Sequence, residues 1–383
     1  MQGQGRPDVL VVGAGVFGLS CAWACAGRGL RVTVLERNTP GSGASGGPVG
    51  AMSPHQPANW SPKKAFQLEA LLSAEAHWRA VAATGGRDPG YARVGRLIPL
   101  GDAAARRRAE AQARAASAHW HGWDWSFHAR SADEAWIAPE AATHGVAFEP
   151  LSARIHPRRA VEALAAALAA RGVALLSQTE VRSLEDGAVD TVDGRIAAGR
   201  IVLAAGMGGF DLVKAATGIP AGCGVKGQAA VLAPRVPVSG PAIFAEGLYV
   251  VPHADGSVAV GSTSENTWRC ATGTDGLLDD LLERARALCP CLAGARVVER
   301  WSGLRPRAPR PDPLIGPLPG LARVLLATGA FKIGFGIAHA VGEAIADIVT
   351  GRDPRLPQGF SPAAHGLGHR KAGSPIFGGG GLG

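Results

Sequence analysis

The sequence predicts an α/β fold in which a dinucleotide-binding domain is split along the chain. Three observations lead to this prediction. An apolar strand at residues 8–12 runs directly into a Gly-X-Gly-X-X-Gly turn and a helix. Segments of the same strand–glycine–helix type recur near residue 200 and near residue 330. A long strand-rich stretch separates the last two of these segments, and we assign it to a second domain.

Length and composition narrow the class of protein further. The 383 residues are 46% hydrophobic and 18% charged, which is too apolar for intrinsic disorder. No window reaches the roughly 18 uninterrupted apolar residues that a membrane span needs. The net charge of +8 comes mostly from scattered arginines, so we give little weight to nucleic-acid or membrane binding.

The cysteines and the N-terminal residues indicate the cellular compartment in which the protein works. The start of the chain shows no export signal, and the six cysteines follow no paired Cys-X-X-Cys pattern. We therefore expect a cytoplasmic protein whose cysteines are core thiols, with metal or redox roles as the alternative.

The first part of the chain alternates strands and helices. Apolar residues at helical spacing (Phe66, Leu71, Trp78) predict one helix, and an Ala- and Arg-rich run predicts the next. In order, we predict strands at residues 8–12 and 31–35 around a helix that ends near Gly27, a helix at 63–83, a strand at 91–100 and a helix at 103–118.

Residues 119–125 have the unusual composition His-Trp-His-Gly-Trp-Asp-Trp. The imidazoles and indoles could form a ligand or metal site. Closely spaced tryptophans more often cover the face of a sheet, and we predict that role and no metal.

The remainder of the chain adds strands between three further helices. Pro157 suits the first turn of a helix, and Asp255-Gly256 suits a hairpin turn. In order, we predict a helix at 157–170, a strand at 173–176, hairpins at 180–196, a strand at 201–205 followed by a helix, strands at 225–233, 248–252 and 257–261, a helix at 276–288, strands at 296–301 and 324–328, and a helix ending near Thr350. We expect the Gly- and Pro-rich residues beyond Gly351 to be a disordered tail.

The glycine motif after the first strand has the context of a dinucleotide site. Gly13 permits a tight turn, Gly15 lets the backbone approach a pyrophosphate, and Gly18 lets the helix pack on the strand. Glu36, at the end of the second strand, can accept hydrogen bonds from ribose hydroxyls and would repel a 2′-phosphate. NADP is therefore disfavoured. A glycine-rich turn without a ligand is the alternative.

A loop of small residues over 41–47 follows Glu36. It exposes backbone N–H groups with nothing bulky in the way, as a second pyrophosphate contact and a flavin ribityl chain require. This loop favours FAD over NAD, with a plain surface loop as the alternative.

These segments together resemble the D-amino-acid-oxidase superfamily of flavoproteins, and within it glycine oxidase and its relatives. The resemblance extends from about Asp8 to Gly351. It is carried by the segments VLVVGAGVFGLSCAWACAGRGLRVTVLER, GSGASGGPVGAMSP, IVLAAGMGG, LYVVPHADGSVAVGSTSE, GLRPRAPRPDPLIGPLPG and LLATGAFKIGFGIAHAVGEAIADIVTG.

The resemblance implies a Rossmann-like FAD domain and a substrate domain built on an antiparallel sheet. We place the FAD-binding domain at residues 7–85, 150–220 and 300–351, the substrate domain at 86–149 and 221–299, and the tail at 352–383. No Cys occurs over 303–313, where related enzymes tether the flavin, so we expect noncovalent FAD. The implied FAD contacts are Gly13, Gly15, Val16, Phe17, Gly18, Glu36, Arg37, Ala44, Ser45, Met52, Val181, Ala205, Gly206, Gly303, Gly329, Phe331, Lys332, Ile333, Gly334, Phe335, Gly336 and Ile337.

The resemblance also implies a site for a substrate carboxylate. Arg305 matches the family arginine that grips this group bidentately, with a surface ion pair as its alternative role. Tyr249 matches a tyrosine that hydrogen-bonds the same group, or it is an ordinary sheet residue. Lys332 stands where glycine oxidases commonly have a second arginine. It could bind the carboxylate, assist oxygen reduction or face solvent, and this departure leaves the substrate open.

The leading hypothesis is FAD-dependent oxidation of a small amino or imino acid by hydride transfer to flavin N5. Oxygen and a quinone are both possible electron acceptors, and a homo-oligomer is possible. The loop GASG and the basic composition also resemble the oxidase that acts on carboxymethylaminomethyl-uridine of tRNA. A flavin-binding protein without turnover is a third alternative.

Overall fold

The computed structural model describes residues 5–131 and 133–368. The helices are α1 (Val16–Gly27), α2 (Pro62–Gly85), α3 (Ala103–Ser117), α4 (Pro157–Ala170), α5 (Gly206–Thr217), α6 (Gly276–Leu288) and α7 (Gly334–Val349). The strands are β1 (Val9–Val12), β2 (Val32–Leu35), β3 (Ala51–Met52), β4 (Arg96–Pro99), β5 (Ser126–His128), β6 (Val146–Glu149), β7 (Ala153–Arg154), β8 (Ala174–Leu176), β9 (Val181–Glu185), β10 (Ala188–Thr191), β11 (Gly194–Ala197), β12 (Arg200–Leu203), β13 (Cys223–Ala233), β14 (Ala242–Ala245), β15 (Leu248–Pro252), β16 (Val258–Gly261), β17 (Arg296–Arg307), β18 (Leu314–Leu318) and β19 (Leu321–Thr328).

A six-stranded sheet forms the predicted dinucleotide-binding domain. Its strand order is β18-β19-β12-β1-β2-β8, and all neighbours pair in parallel except β18 and β19. Val9 and Val11 contact the core beneath α1, α2, α4 and α7, whereas Leu10 and Val12 contact the core beneath α5 and the β9–β11 sheet. Because both faces are covered, β1 is wholly buried, as its unbroken apolar sequence predicts.

An eight-stranded sheet forms the second unit, with the order β17-β13-β16-β15-β14-β4-β6-β5. Its neighbours pair antiparallel except β4 and β14. One face packs on α6, where Val250 and Val260 contact Leu278 and Leu282 within one apolar core. The other face is turned toward the loop that follows Glu36, because Gly261 lies against Val49 and Gly47 lies against the Trp301 ring. The α/β fold class with this pair of sheets confirms the predicted fold.

Strand β17 differs from the prediction in length. It continues to Arg307 and not to residue 301, because it stays paired with β13 along its whole course, from Ala233↔Arg296 to Cys223↔Arg307. The predicted domain limit at residue 300 therefore falls inside a strand. A limit after Arg307 would keep the eight-stranded sheet whole.

Residues 352–368 differ from the disordered tail predicted for 352–383. Phe360 is 1% exposed and contacts the core beneath α1 and α7. The ring of His365 is buried, and its Nε2 lies 3.1 Å from the Pro313 backbone oxygen. The apolar anchor at Phe360 outweighs the Gly- and Pro-rich composition of its neighbours, so the tail prediction is wrong for this stretch. Residues 369–383 lie outside the described residues.

The aromatic segment after α3 is a packing element. Trp120 is 1% exposed and contacts Leu68 and Leu151, while Trp125 packs against Ala147 of β6. His119 stacks on the Trp60 ring at a centroid distance of 4.2 Å. Across residues 5–131 and 133–368, no group of three or more His, Cys, Asp or Glu side chains could hold a metal ion. Over the same residues, no helix combines the length and the apolar character needed to cross a membrane.

Candidate active site

Three glycine turns lie together at the carboxyl edge of the six-stranded sheet. They follow β1, β12 and β19, which are adjacent parallel strands. Gly13 has φ +103°, and a Cβ there would meet the backbone oxygen of Ala204 at 2.6 Å. A Cβ on Gly18 would overlap the backbone oxygen of Gly13. Only glycine allows α1 to start this close to the sheet, and such an edge is where open α/β sheets bind dinucleotides.

Three helix N-termini at this edge lack a side-chain cap from their own N-cap residue. Gly15 provides none for α1, Ala205 none for α5 and Ile333 none for α7. The backbone N–H of Val16 is satisfied instead by the hydroxyl of Ser45, at 3.0 Å, which fixes the small-residue loop against the helix. The remaining first-turn N–H groups and the helix dipoles provide positive potential for an anionic group.

Glu36 is held rigidly at the end of β2. One carboxylate oxygen accepts from the Ala14 N–H at 2.8 Å, and the other accepts from the Asn38 N–H at 2.9 Å. Each carboxylate oxygen can accept a second hydrogen bond, and the side chain is only partly buried. The geometry therefore leaves Glu36 able to accept from two vicinal hydroxyls. Arg37 beside it is exposed and lies 3.9 Å from Glu180.

The loop before α7 has an unusual backbone. Gly329 has φ +77°, and Phe331, which carries a side chain, has φ +52°. The Phe331 N–H donates to the Pro306 backbone oxygen at 3.1 Å, and this bond ties the loop to β17. A bulky residue with positive φ costs about 1–3 kcal/mol, and such strain concentrates at functional sites.

These features fit an adenine dinucleotide flavin. The glycine cradle, the remaining first-turn N–H groups of the helices and Glu36 lie at one edge and match the phosphates and the ribose. Several predicted contacts are buried in the structure: Val16, Phe17, Met52, Val181 and Ile337. Others are at least partly exposed: Gly15, Ala44, Ser45, Ala205, Gly206, Gly303, Ile333, Gly334 and Phe335.

Arg305 lies on the side of the eight-stranded sheet that faces away from α6. Its Nη1 donates to the Thr263 backbone oxygen at 3.1 Å, and its Nη2 donates to the Ser262 hydroxyl at 2.6 Å. The planar guanidinium has five N–H donors, so donors remain for a ligand. Burial lowers the pKa of Arg305 to about 10, and the nearby Glu265 only partly opposes this effect.

Tyr249 belongs to the same face of the sheet. Trp301, Ala229, Gly261, Tyr249 and Phe244 are register partners in five neighbouring strands, and Arg305 is two strand repeats from Trp301. Directly paired residues project to one side of a sheet. The Tyr249 ring is partly exposed there, and its hydroxyl lies 3.2 Å from Nη1 of Arg96.

Lys332 lies in the loop that β17 holds in place. Its side chain is exposed and its Nζ is 5.4 Å from the centroid of the Phe331 ring. Desolvation by the surrounding protein, and then the positive charge of Arg305, lower its pKa. The structure thus places Lys332 close enough to Arg305 for the two positive charges to repel each other.

Sequence reasoning missed several residues of this site. Ser262 and Thr263, which hold Arg305, lie at the end of the segment LYVVPHADGSVAVGSTSE that carries the resemblance, but nothing in that segment indicates a contact with Arg305. Arg96, which contacts Tyr249, and Glu149, which contacts Arg96, are far apart in the chain and meet only through strand pairing. Trp301 could have been found, because strand alternation from Arg305 through Gly303 places it on the same face.

Comparisons with known proteins identify the family of the chain. Residues 8–348 match the family model described as "DAO: FAD dependent oxidoreductase". The chain is 32% identical to glycine oxidase of Pseudomonas aeruginosa, over 93% of this chain and 98% of the relative. The crystal structure of glycine oxidase from Geobacillus kaustophilus superposes with a TM-score of 0.84 and 26% identity, covering 94% of this chain and 98% of that one. Iminodiacetate oxidase from Chelativorans sp. BNC1 shares the fold, with a TM-score of 0.83, 24% identity and coverage of 92% and 98%.

Proposed function

The chain belongs to the DAO family of FAD-dependent oxidoreductases, which act on carbon–nitrogen donors, and from this premise we propose that it oxidises a small amino or imino acid. The substrate is bound by its carboxylate at Arg305, and FAD is held noncovalently. The chemistry that FAD supplies when bound is acceptance of a hydride from the substrate α-carbon at flavin N5.

The observation that carries the proposal is a half-buried cation without a counter-ion. Among the described residues, no carboxylate oxygen lies within 4.0 Å of the Arg305 guanidinium, which bonds only to neutral oxygens. A desolvated charge without a partner is costly, and desolvation is the cause that lowers the pKa of Arg305. An anionic ligand that occupies the remaining donors would offset it, and a planar carboxylate matches the fork of the guanidinium.

The other site residues have supporting roles in this proposal. Tyr249 lies on the same face and can bond the carboxylate, and Lys332 adds a second positive charge. The uncapped N-terminus of α7 places N–H donors where negative charge would be stabilised during reduction of a neighbouring group. Residues 42–50 lie against the sheet through Val49 and the Trp301 ring, and so limit access of water.

The proposal also covers the electron acceptor and the cellular compartment of the protein. Oxygen and a quinone both fit as electron acceptors, and reoxidation by each can be compared directly. We place the protein in the cytoplasm, which the six cysteines support, since all are free thiols in the structure.

The test is anaerobic mixing of the FAD-loaded protein with glycine, sarcosine, D-alanine, proline and matched amines that lack a carboxylate. We expect bleaching of the flavin only by compounds with a carboxylate. Arg305→Ala should lower kcat/KM by a factor that corresponds to about 3 kcal/mol of lost transition-state stabilisation, without loss of FAD. Arg305→Lys should restore only part of the lost kcat/KM.

Arg300→Ala is the matched control, because Arg300 lies on the same strand but pairs with Asp279 at 2.7 Å on the other face. Equal bleaching by amines without a carboxylate, or an unchanged kcat/KM in Arg305→Ala, would show that the amino-acid assignment is wrong.

A further inference from the structure

We propose that Arg96, held by Glu149, is a positioning residue that turns the Tyr249 hydroxyl toward the substrate carboxylate. The inference rests on the proposed function, because it concerns how the carboxylate is bound. It extends the site by two charged residues that lie beyond Tyr249 on the same face of the sheet, on the side away from Arg305.

Arg96 and Glu149 form a buried ion pair. They are register partners in β4 and β6, they are 6% and 0% exposed, and Nη2 lies 3.3 Å from Oε2. Glu149 also accepts from the backbone N–H groups of Leu151 and Ser152 and from the Ser152 hydroxyl. The carboxylate is therefore fully engaged, and it holds the guanidinium in one place.

The chemistry of arginine then determines the direction of the hydrogen bond to Tyr249. A guanidinium has donors and no acceptor, so Nη1 of Arg96 donates and the phenolic oxygen accepts, at 3.2 Å. The one hydroxyl hydrogen must point elsewhere. Within the part of the chain that the structure describes, no acceptor lies within reach of this O–H. It is left as a donor on the open face of the sheet.

Aromatic packing restrains the same group. The Phe244 ring lies under the Arg96 guanidinium at 5.4 Å and against the Tyr249 ring at 4.7 Å. The phenol thus has its ring held by Phe244 and its oxygen held by Arg96. A carboxylate is an acceptor only, so a preset O–H donor suits it.

Stability alone accounts poorly for this pair. A buried ion pair is often no more stabilising than apolar residues of the same volume. One further donor, Nε of Arg96, is buried without a partner in the described structure, which adds to the cost. The pair is better explained by its effect on the Tyr249 hydroxyl.

The test is a double-mutant cycle between the ion pair and Tyr249 in the FAD-loaded protein. Arg96→Met combined with Glu149→Gln removes both charges together, and the glutamine oxygen can still accept from the Leu151 and Ser152 N–H groups. Tyr249→Phe removes only the hydroxyl. The readouts are the Kd of acetate, measured by its perturbation of the flavin spectrum, and KM and kcat with the best amino-acid substrate.

We expect Tyr249→Phe to raise the acetate Kd about tenfold, and the ion-pair variant to raise it by a similar factor. In the Tyr249→Phe background, the ion-pair change should add less than about twofold, because the hydroxyl it orients is gone. The effect should appear in KM with kcat nearly unchanged. Arg93→Met is the control, since Arg93 donates to the Leu71 and Leu151 backbone oxygens and does not touch Tyr249.

Independent, multiplicative effects of the two changes would overturn the inference, as would an equal rise in Kd for Arg93→Met. The two proposals fail differently. If Arg305→Ala raises the acetate Kd and Tyr249→Phe does not, the role of Arg96 is wrong and carboxylate binding stands. If Arg305→Ala also leaves the Kd unchanged, the proposed function itself is wrong.

Discussion

At the scale of single residues, Glu36 links the glycine turn after β1 to the loop after β2. Its oxygens already accept the Ala14 and Asn38 N–H groups, so its orientation exists before any ligand binds. We expect Glu36→Ala to weaken FAD binding by about 1.5–3 kcal/mol, the scale of a hydrogen bond to a charged group. The measurement is fluorescence titration of the apoprotein with FAD.

Glu185→Ala is the control for that titration, because Glu185 is exposed and pairs with Arg195. Its FAD affinity should match the wild type. An unchanged affinity in Glu36→Ala would mean that Glu36 does not meet the ribose.

Lys332 is the second residue whose role can be separated by experiment. Desolvation, and then the positive charge of Arg305, lower its pKa, so it loses its proton at a lower pH than a free lysine. We expect Lys332→Met to raise the KM for amino acids, and wild-type carboxylate binding to weaken at alkaline pH as Lys332 and Arg305, whose pKa values are both lowered, lose their protons. Rapid mixing of each half-reaction measures this.

Lys332→Arg should keep most of the affinity, since it retains the positive charge at all relevant pH values. The expectation fails if Lys332→Met leaves anaerobic reduction untouched and slows only reoxidation. Lys332 would then serve the electron acceptor and not the carboxylate.

At the scale of secondary-structure elements, helix packing predicts that replacing Gly342 by alanine destabilises the protein, whereas the same replacement at Gly27 does not. Gly342, in the middle of α7, faces α1, and a Cβ there would overlap the backbone oxygen of Ser20. Helix propensity alone predicts that alanine stabilises this position by about 1 kcal/mol. The structure predicts instead that Gly342→Ala destabilises the protein by about 1–3 kcal/mol, because the obstacle is backbone and cannot move aside.

Gly27→Ala, at the end of α1, is the matched control. Its Cβ would meet only the end of the Arg171 side chain, at 3.2 Å, which can shift. Urea unfolding with excess FAD should show a lower midpoint for Gly342→Ala and an equal or higher midpoint for Gly27→Ala. A stabilised Gly342→Ala protein would contradict the close packing of α1 and α7.

Elements with local signals were predictable, and elements that depend on pairing were not. The helix predicted at residues 276–288 is confirmed as α6 (Gly276–Leu288), and the side chain of Asp275 caps its N-terminus by accepting from the Leu277 N–H. The extension of β17 to Arg307 depends on its register with β13, which no local pattern encodes. The short strand β14 was missed for the same reason, and with it the packing of Phe244 against Tyr249.

The candidate site belongs to the whole molecule, because its parts come from both sheets. Glu36 and the glycine turns follow from a motif, so they could be predicted. Arg305, Tyr249 and Lys332 came from resemblance, and their roles stay predictions. The Arg96–Glu149 pair needs the register of β4 with β6 and of β14 with β4, so it could be found only once the sheet was known.

Two buried histidines, His339 and His253, and the half-buried His77 make the stability of the whole molecule depend on pH. Burial lowers the pKa of His77 to about 3 and those of His339 and His253 to about 4. The rings of His77 and His339 stack at 4.8 Å, and Nε2 of His77 is buried without a partner in the described structure. Each of these rings is therefore neutral in the folded protein at pH 5.

The unfolded chain binds protons at these histidines below a pH of about 6.5, whereas the folded protein does not. Since the unfolded state binds more protons, stability rises with pH in this range and is lost as the pH falls from about 6.5 toward 4. Each histidine should contribute a loss on the order of 1–2 kcal/mol at pH 5. Urea unfolding between pH 5 and 7, with FAD in constant excess, measures the slope of the unfolding free energy against pH.

His77→Phe, which fits the contacts with Trp23 and Trp78, should make this slope smaller, whereas His128→Gln at an exposed position should leave it unchanged. A slope that His77→Phe leaves unchanged would show that His77 takes up its proton in the folded protein as readily as in the unfolded chain.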